Sequence, residues 1–239
     1  MDKKAFYATL RRDPRVFGTS LGKRQVAGIE GLLKAFDTHG DGQIDTLAYG
    51  LATAYHETAR AMVPIKETVM SHHRDKNPSD DTVIRRLDAW ARRIGRTTNI
   101  YWRRQGRYNL AYFGRGHVQL TWELNYQRSS ADAGVDLLRY PDKMLDPVIS
   151  ARVLWGGLLD GRWNGGGNGL RHYLEKSDLQ GARRTVNITD QWHKVAEYHY
   201  AFLGALEDAG WTGQKAPAPA PRRERRGISG LMSRLFRRR

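Results

Sequence analysis

The sequence predicts a mainly α-helical protein with at most a small β element. Apolar residues recur at helical spacing in several segments, for example at Ile29, Leu32 and Phe36. Strand-like alternation of apolar and polar residues is scarce, and no internal repeat is visible. Cysteine is absent from the 239 residues. Disulfides, zinc–thiolate sites and a catalytic thiol are therefore excluded, and the chain can fold in a reducing cytoplasm.

The predicted helices follow one another along the first 208 residues. In chain order they span residues 21–36, 46–62, 79–94, 117–131, 146–159, 178–187 and 190–208. We expect Pro64 to end the second helix, because proline lacks the amide hydrogen that a helix interior needs. Ser79 is placed to cap the third helix through its hydroxyl.

The segment between the first two helices resembles the start of a calcium-binding loop. Residues 37–45 contain several acids and two glycines. However, Ala48 stands at the twelfth position, where such a loop needs a bidentate glutamate. We therefore predict an inter-helix turn without a metal ion.

A change in composition divides the chain into a domain, a linker and a tail. Residues 1–212 form the predicted catalytic domain, and alternating alanine and proline make residues 213–221 an extended linker. In residues 222–239 large apolar side chains share one helical face and arginines occupy the rest. The predicted membrane-binding residues of this amphipathic tail are Ile228, Leu231, Met232, Arg234, Leu235, Phe236 and Arg237.

The net charge of +15 points to an anionic partner. Residues 215–239 carry nine Lys or Arg and a single acid, so +8 of this charge belongs to the linker and tail. The apolar stripe favours a membrane-active helix over a nucleic-acid patch or a disordered solubilising tail. We expect the tail to bind an anionic bacterial membrane or lipopolysaccharide and expect no nucleic-acid partner.

The N-terminus lacks the apolar run of a signal peptide, and no segment reaches the length of a membrane span. The expected place of synthesis is therefore the cytoplasm, in a host cell if a phage encodes the protein. Action outside the cytoplasm then requires release by another route.

Two stretches carry the candidate chemistry. Residues 52–58 place Glu57 on an otherwise apolar helix, and residues 113–126 supply Gln119, Thr121 and Asn125 after a glycine-flanked turn. A carboxylic acid facing neutral hydrogen-bonding side chains is what hydrolysis of a sugar polymer requires.

The environment of Glu57 has two interpretations. Apolar neighbours such as Leu51 and Ala54 raise the pKa of a carboxyl, which would keep it protonated for donation to a leaving oxygen. Alternatively, Glu57 is a structural residue paired with Arg60 or another base. A zinc site is excluded, because Arg60 stands where the second histidine of a zinc-protease helix belongs.

The second stretch begins with a tight turn. Gly114 and Gly116 permit close backbone approach, and Arg115 between them can anchor the turn to a carboxylate. Trp122 and Tyr126 either stack on a sugar or pack in the core, and the core is favoured.

The two stretches together resemble glycoside hydrolase family 19. AYHET at 54–58 and GRGHVQLTWELNY at 114–126 are similar to motifs of this chitinase-like group, which also includes phage endolysins with a lysozyme-like fold. Residues 145–157 resemble the family's helix after the active site. Residues 182–187 resemble its ARRxxNG segment, with Ile188 in place of the glycine.

This resemblance covers roughly residues 20–208 and implies a lysozyme-like glycoside hydrolase domain. It implies that Glu57 is the general acid of an inverting reaction and that Thr121 positions the attacking water. The candidate substrate-binding residues are His56, Tyr112, Arg115, Gln119, Asn125 and Asn187. No cofactor is expected.

An inverting reaction also needs a second carboxylate, and Glu67 is the best candidate. On an unbroken helix it would lie about 15 Å from Glu57, and a break at Pro64 allows the shorter separation of about 6.5–9.5 Å that inversion requires. The alternatives, in the following segment, are Asp75, Asp80 and Asp81. Residues 68–111 form either one wall of the cleft or a solvated helical insertion.

The predicted function is that of an endolysin-like muramidase that cleaves the β-1,4 bonds of peptidoglycan. Its action would be bacteriolytic and antimicrobial, at the cell wall after release, and a monomer is expected. One alternative is a chitinase acting on β-1,4-linked N-acetylglucosamine. Another, from a different class, is a membrane-active cationic protein on an inactive hydrolase scaffold.

Overall fold

The computed structural model describes residues 1–70, 72–163, 167–188 and 190–213. Most of the predicted linker lies outside these residues. The whole tail, including its membrane-binding side chains, lies outside them as well, so its amphipathic helix stays a prediction.

The described residues form a mainly α-helical protein, as predicted. The helices are α1 Lys3–Arg12, α2 Lys23–His39, α3 Ile44–Glu57, α4 Asp80–Arg93, α5 Glu123–Ala133, α6 Pro147–Asp160, α7 Leu170–Leu174, α8 Leu179–Arg183 and α9 Trp192–Asp208. Short 3-10 helices span Gly18–Ser20 and Pro141–Leu145. None of the described helices is both long and apolar enough to cross a membrane.

Within the described residues, the β structure is limited to four strands of two residues each. They are β1 Ile65–Lys66, β2 Arg104–Gln105, β3 Leu110–Ala111 and β4 Arg115–Gly116. β1 pairs antiparallel with β4, and β2 pairs antiparallel with β3. The first pair matters for the site, because it joins the segment after α3 to the glycine-flanked turn.

The main core surrounds α3, which packs against α9 on one side while α2 packs against α6. Trp155 is fully buried there, and its indole nitrogen donates to the Leu32 carbonyl at 3.1 Å. α3 passes so close to this ring that a Cβ on Gly50 would lie 2.0 Å from it. Tight packing on all sides explains why residues 46–55 are buried and holds the end of α3 in place.

A second, smaller core is formed mainly by the insertion between residues 68 and 111. It joins one face of α4 to residues that follow the helix in the chain, and its members are Val83, Leu87, Ala91, Trp102, Ala111 and Phe113. The indole nitrogen of Trp102 donates to Asp88 at 2.8 Å, so this core is also specified by a polar contact. The insertion is therefore packed and is not a solvated appendage.

Three predicted helix boundaries were wrong. α3 ends at Glu57 because the Thr58 hydroxyl donates to the Ala54 carbonyl at 2.6 Å and accepts from the Met62 amide at 2.9 Å. These side-chain bonds replace the next turn of helix, and Arg60 adopts a positive φ of 72°. Pro64 therefore plays no part in ending the helix.

The helix predicted from residue 117 begins only at Glu123. Before it, the backbone turns sharply, with positive φ values of 48° at Gln119 and 71° at Trp122. Gln119 and Thr121 therefore project from a turn and not from a helix. The helix predicted at 178–187 is also shorter, ending at Arg183, whereas Ser79 caps α4 as predicted by accepting from the Thr82 amide at 3.3 Å.

Candidate active site

Six of the predicted site residues line one open cavity of about 710 Å³. They are Glu57, Glu67, Gln119, Thr121, Asn125 and Asn187. The residues come from the end of α3, the segment after β1, the turn before α5, α5 itself and the segment after α8. The fold thus brings together side chains that are up to 130 positions apart in the sequence.

Glu57 is the last residue of α3 and is held by a charged partner. Arg183 Nη1 donates to Glu57 Oε1 at 2.6 Å, and the Arg183 side chain is almost fully buried. The same guanidinium donates through Nε to the Asp190 carbonyl at 2.9 Å, which fixes its orientation. Glu57 therefore pairs with a base, as the second interpretation of its environment held, and that base is Arg183 and not Arg60.

Glu67 directly follows β1 and is held by neutral donors. The Tyr101 hydroxyl donates to Oε1 at 2.6 Å, and the Gly114 amide donates to Oε2 at 2.7 Å. Burial raises the pKa of the Glu67 carboxyl, although these two donors act in the opposite direction. Glu67 is therefore a fixed carboxylate with a stronger affinity for a proton than an exposed one.

The three alternative carboxylates do not line the cavity. Asp80 forms ion pairs with Lys66 and Arg115, Asp81 pairs with an exposed arginine, and Asp75 accepts from the amide of Asn77. These contacts occupy them with structural roles. Among the described residues, Glu67 is therefore the carboxylate that shares the cavity with Glu57.

The neutral polar side chains of the cavity differ in how much hydrogen-bonding capacity they keep. The Gln119 amide nitrogen donates to the carbonyls of Ile65 and Gly116, at 3.0 and 3.1 Å, so its carbonyl oxygen remains for a ligand. The Thr121 hydroxyl and the Asn125 side chain have no protein partner within the described part of the chain. They are open to water or to sugar hydroxyl groups.

Tyr112 and Arg115 do not contact the cavity, so the prediction that they bind substrate requires correction. Arg115 is fully buried and pairs with Asp80 at 2.8 Å and Asp142 at 2.7 Å. It anchors the turn to carboxylates, as its position between two glycines indicates. Tyr112 is also fully buried and donates its hydroxyl to the Leu138 carbonyl at 2.9 Å.

His56 also lies outside the cavity wall. Its ring is half-buried beside Tyr198, with centroids 6.3 Å apart, and burial lowers the pKa of the imidazole. A substrate-binding role for His56 therefore has no support from its position, although Glu57 next to it faces the cavity.

Several wall residues were missed or assigned elsewhere by sequence reasoning. The insertion contributes Arg96, Asn99 and Tyr101. It therefore forms part of one wall of the cleft, which was the first of the two interpretations of residues 68–111. Trp122, expected in the core, is 40% exposed and lines the cavity, whereas Tyr126 is fully buried as expected. Trp163 and Arg184 also line the cavity.

This arrangement is suited to acid–base chemistry on a polar substrate. Two carboxylates with different partners face a single open cavity, and hydroxyl and amide groups lie on the same wall. Two indole rings, those of Trp122 and Trp163, offer apolar surface on which a sugar ring can pack.

Comparison with known sequences supports the resemblance over a short segment. No protein-family model matches the sequence. Forty residues are 55% identical to endochitinase 1 of Theobroma cacao and cover 16% of this chain and 12% of that protein. Forty-six residues are 48% identical to endochitinase A2 of Pisum sativum and cover 18% of this chain and 14% of that protein. The chain thus matches less than a sixth of the length of these two relatives.

The fold is similar to that of chitinase C from Streptomyces griseus HUT6037. The two structures superpose with a TM-score of 0.50 and 18% identity over 90% of this chain and 78% of the other. At this identity the likeness shows the fold alone. The predicted lysozyme-like, mainly α fold and the chitinase-like resemblance are confirmed, and the endolysin type stays a prediction.

Proposed function

We propose that this protein is a glycoside hydrolase that cleaves β-1,4 bonds between amino sugars by inversion. The observation that carries the proposal is the placement of Glu57 and Glu67 in one cavity with Thr121, Gln119 and Asn125. Inverting hydrolysis requires two carboxyl groups in one site with space for a water molecule.

In this mechanism Glu57 donates a proton to the oxygen of the leaving sugar as the glycosidic bond breaks. Glu67 accepts a proton from a water molecule, whose oxygen forms the new bond to the anomeric carbon from the opposite face. The Thr121 hydroxyl holds that water. The raised pKa of Glu67 supports its role, because a base with a higher affinity for protons removes them more readily.

A chitin-type polymer of N-acetylglucosamine is the substrate best supported by the comparisons. The matched relatives are endochitinases, and the structural neighbour is a chitinase. The free hydroxyl of Thr121 and the amide of Asn125 suit an uncharged sugar chain rich in hydroxyl and acetamido groups.

Peptidoglycan is the second candidate, and a different observation favours it. The net charge is +15, and Arg96 and Arg184 both line the cavity. A cationic protein concentrates on an anionic envelope polymer. In this version the protein is an endolysin-like monomer made in a cytoplasm, and residues 222–239 bind anionic membrane or lipopolysaccharide after release.

The test is to digest purified chitin and purified peptidoglycan and to identify the new reducing ends by mass spectrometry. Glu57→Gln keeps the shape of the side chain but removes the proton donor, so we expect a rate loss of about 10²–10⁴-fold. Glu207→Gln, an exposed residue of α9, makes the same chemical change outside the cavity and serves as the control.

The outcomes separate the candidates. Cleavage of chitin supports the first substrate, and cleavage of peptidoglycan alone supports the second. Equal rates for Glu57→Gln and the wild type would remove Glu57 from the mechanism. Failure of the wild type on both polymers, combined with lysis of membranes by the full chain but not by a chain lacking residues 222–239, would support the inactive scaffold instead.

A further inference from the structure

Arg96 is a cation held rigidly at the wall of the cavity. Its Nε donates to the Thr98 carbonyl at 3.2 Å, and its Nη2 donates to the Asn99 carbonyl at 2.9 Å. The guanidinium carbon also lies 5.4–5.7 Å from the centroids of three aromatic rings, those of Trp90, Tyr101 and Trp102. Backbone and aromatic contacts together fix its position before any ligand binds.

This rigid cation has no carboxylate partner within the described ranges. The two other buried or half-buried arginines near the site differ in this respect, since Arg183 pairs with Glu57 and Arg115 pairs with two aspartates. Glu67 feels the charge of Arg96 but accepts its hydrogen bonds from Tyr101 and Gly114. The Nη1 group of Arg96 forms no hydrogen bond to the described protein, so donors remain for a ligand.

An arginine with this geometry is suited to a carboxylate. The planar guanidinium presents parallel N–H groups that match the two oxygens of a carboxylate, and charge-assisted hydrogen bonds of this kind are stronger than neutral ones. Stacking on aromatic rings leaves the edge of the group accessible. A neutral sugar needs no fixed cation at this place.

We infer that Arg96 forms a subsite for a carboxylate carried by the polymer, next to the bond that is cleaved. This inference rests on the proposed function, and within it favours the second candidate, an amino-sugar polymer with anionic substituents, over neutral chitin. Tyr101 links the two parts, because its ring supports Arg96 while its hydroxyl holds Glu67. A correctly seated carboxylate is thereby positioned relative to the base.

The test compares two soluble chitin derivatives with the same backbone, neutral glycol chitin and anionic carboxymethyl chitin. For each variant the ratio of kcat/KM on the anionic polymer to kcat/KM on the neutral polymer is measured at fixed salt. The ratio cancels any effect that the loss of Arg96 has on Glu67 itself. We expect Arg96→Gln to lower this ratio about tenfold, through a higher KM on the anionic polymer, in keeping with the loss of one charge-assisted hydrogen-bonded contact.

Two control variants separate a built subsite from general attraction by positive charge. Arg93→Gln removes an exposed charge three residues away, outside the cavity wall. Arg184→Gln removes an exposed charge that does line the cavity but has no aromatic support. We expect Arg93→Gln to change the ratio less than twofold and Arg184→Gln to lower it less than Arg96→Gln does. We expect Arg96→Lys, which keeps the charge without the planar fork, to give an intermediate ratio.

Several results would overturn the inference. Equal losses on the two polymers for Arg96→Gln would indicate a purely structural role. Equal changes in the ratio for all three glutamine variants would indicate long-range charge only. In either case a wild type active on glycol chitin would leave the proposed hydrolase function standing, whereas a wild type inactive on both polymers and on peptidoglycan would remove that function first.

Discussion

The two carboxylates of the cavity have the same chemistry and very different surroundings. Glu57 ends a helix of the main core and is held by the buried cation Arg183. Glu67 follows a two-residue strand and is held by the neutral donors Tyr101 and Gly114. The two identical side chains therefore differ in their partners, and burial raises the pKa of Glu67.

The parts of the fold that hold the two carboxylates in place are also separate. Glu57 depends on the packing of α3 against Trp155 and α9, whereas Tyr101 belongs to the insertion with its own small core. A change in one support should therefore leave the other carboxylate largely undisturbed. This separation makes the comparison open to experiment.

The largest effect is expected from Glu67→Gln. Glutamine keeps the shape but cannot accept a proton from water at neutral pH, so the rate should fall by about 10²–10⁴-fold. The rate of hydrolysis of a soluble chitin or peptidoglycan substrate measures this, with Glu207→Gln as the control. Retention of full activity would mean that Glu67 has no catalytic role and that its different surroundings serve the structure alone.

A smaller effect, on stability, is expected from Gly50→Ala. The added methyl group would lie 2.0 Å from the Trp155 ring, so α3 or the ring must shift, at a cost of about 1–3 kcal/mol in the free energy of unfolding. Gly31→Ala in α2 makes the same change where no atom lies within 4 Å, and it should stabilise the fold by up to about 1 kcal/mol. Chemical denaturation measures both.

Equal stabilities of the two glycine variants would show that the main core is looser around Trp155 than the structure indicates. The same Gly50→Ala protein also tests whether a change in the support of Glu57 leaves Glu67 undisturbed. Its pH–rate profile should keep the acidic limb of the wild type, because the surroundings of Glu67 do not involve α3.

The smallest effect is expected from Tyr101→Phe, which removes one donor from Glu67 and keeps the aromatic ring. Loss of this donor raises the pKa of Glu67 further, because the hydrogen bond stabilises the ionised form. A base must be ionised to act, so the acidic limb of kcat/KM should move to higher pH, with a loss of several-fold below neutrality. Tyr108→Phe, at a half-buried tyrosine outside the cavity wall with a long 3.4 Å contact to Asp136, should leave the profile unchanged.

An unmoved acidic limb in Tyr101→Phe would exclude Glu67 as the group whose ionisation limits the rate. Movement of the limb to lower pH would reverse the expected sign and show that Tyr101 acts on the protonated form. Either result would require a different assignment of catalytic roles to Glu57 and Glu67.

The sequence was sufficient to locate those cavity residues that belong to a short local motif. Glu57, Gln119 and Thr121 were placed correctly in a common site, because short motifs specify them. The pairing of Glu57 with Arg183 could not be derived, since 126 positions separate the two residues and only the packing of α8 near α3 joins them.

The same motif also misled in one respect. Arg115 and Tyr112 are polar and adjacent to the site in sequence, but the turn between β3 and β4 directs them inward, where they hold the fold. Arg96 was missed for the opposite reason. It lies in the insertion, where no motif marks it, and its neighbours become aromatic support only after the second core has formed.

The pairing of β1 with β4 has a practical consequence for protein engineering. The Glu67 amide donates to the Gly114 carbonyl while the Gly114 amide donates to the Glu67 side chain, both at 2.7 Å. Together with the bond from the Gln119 side chain to the Ile65 carbonyl, these contacts join Glu67 to the turn that carries Thr121. If the insertion is exchanged for a loop from another protein, Glu67 and Gly114 should both be kept at its two ends. The length of the new loop is free only as long as it preserves these two hydrogen bonds.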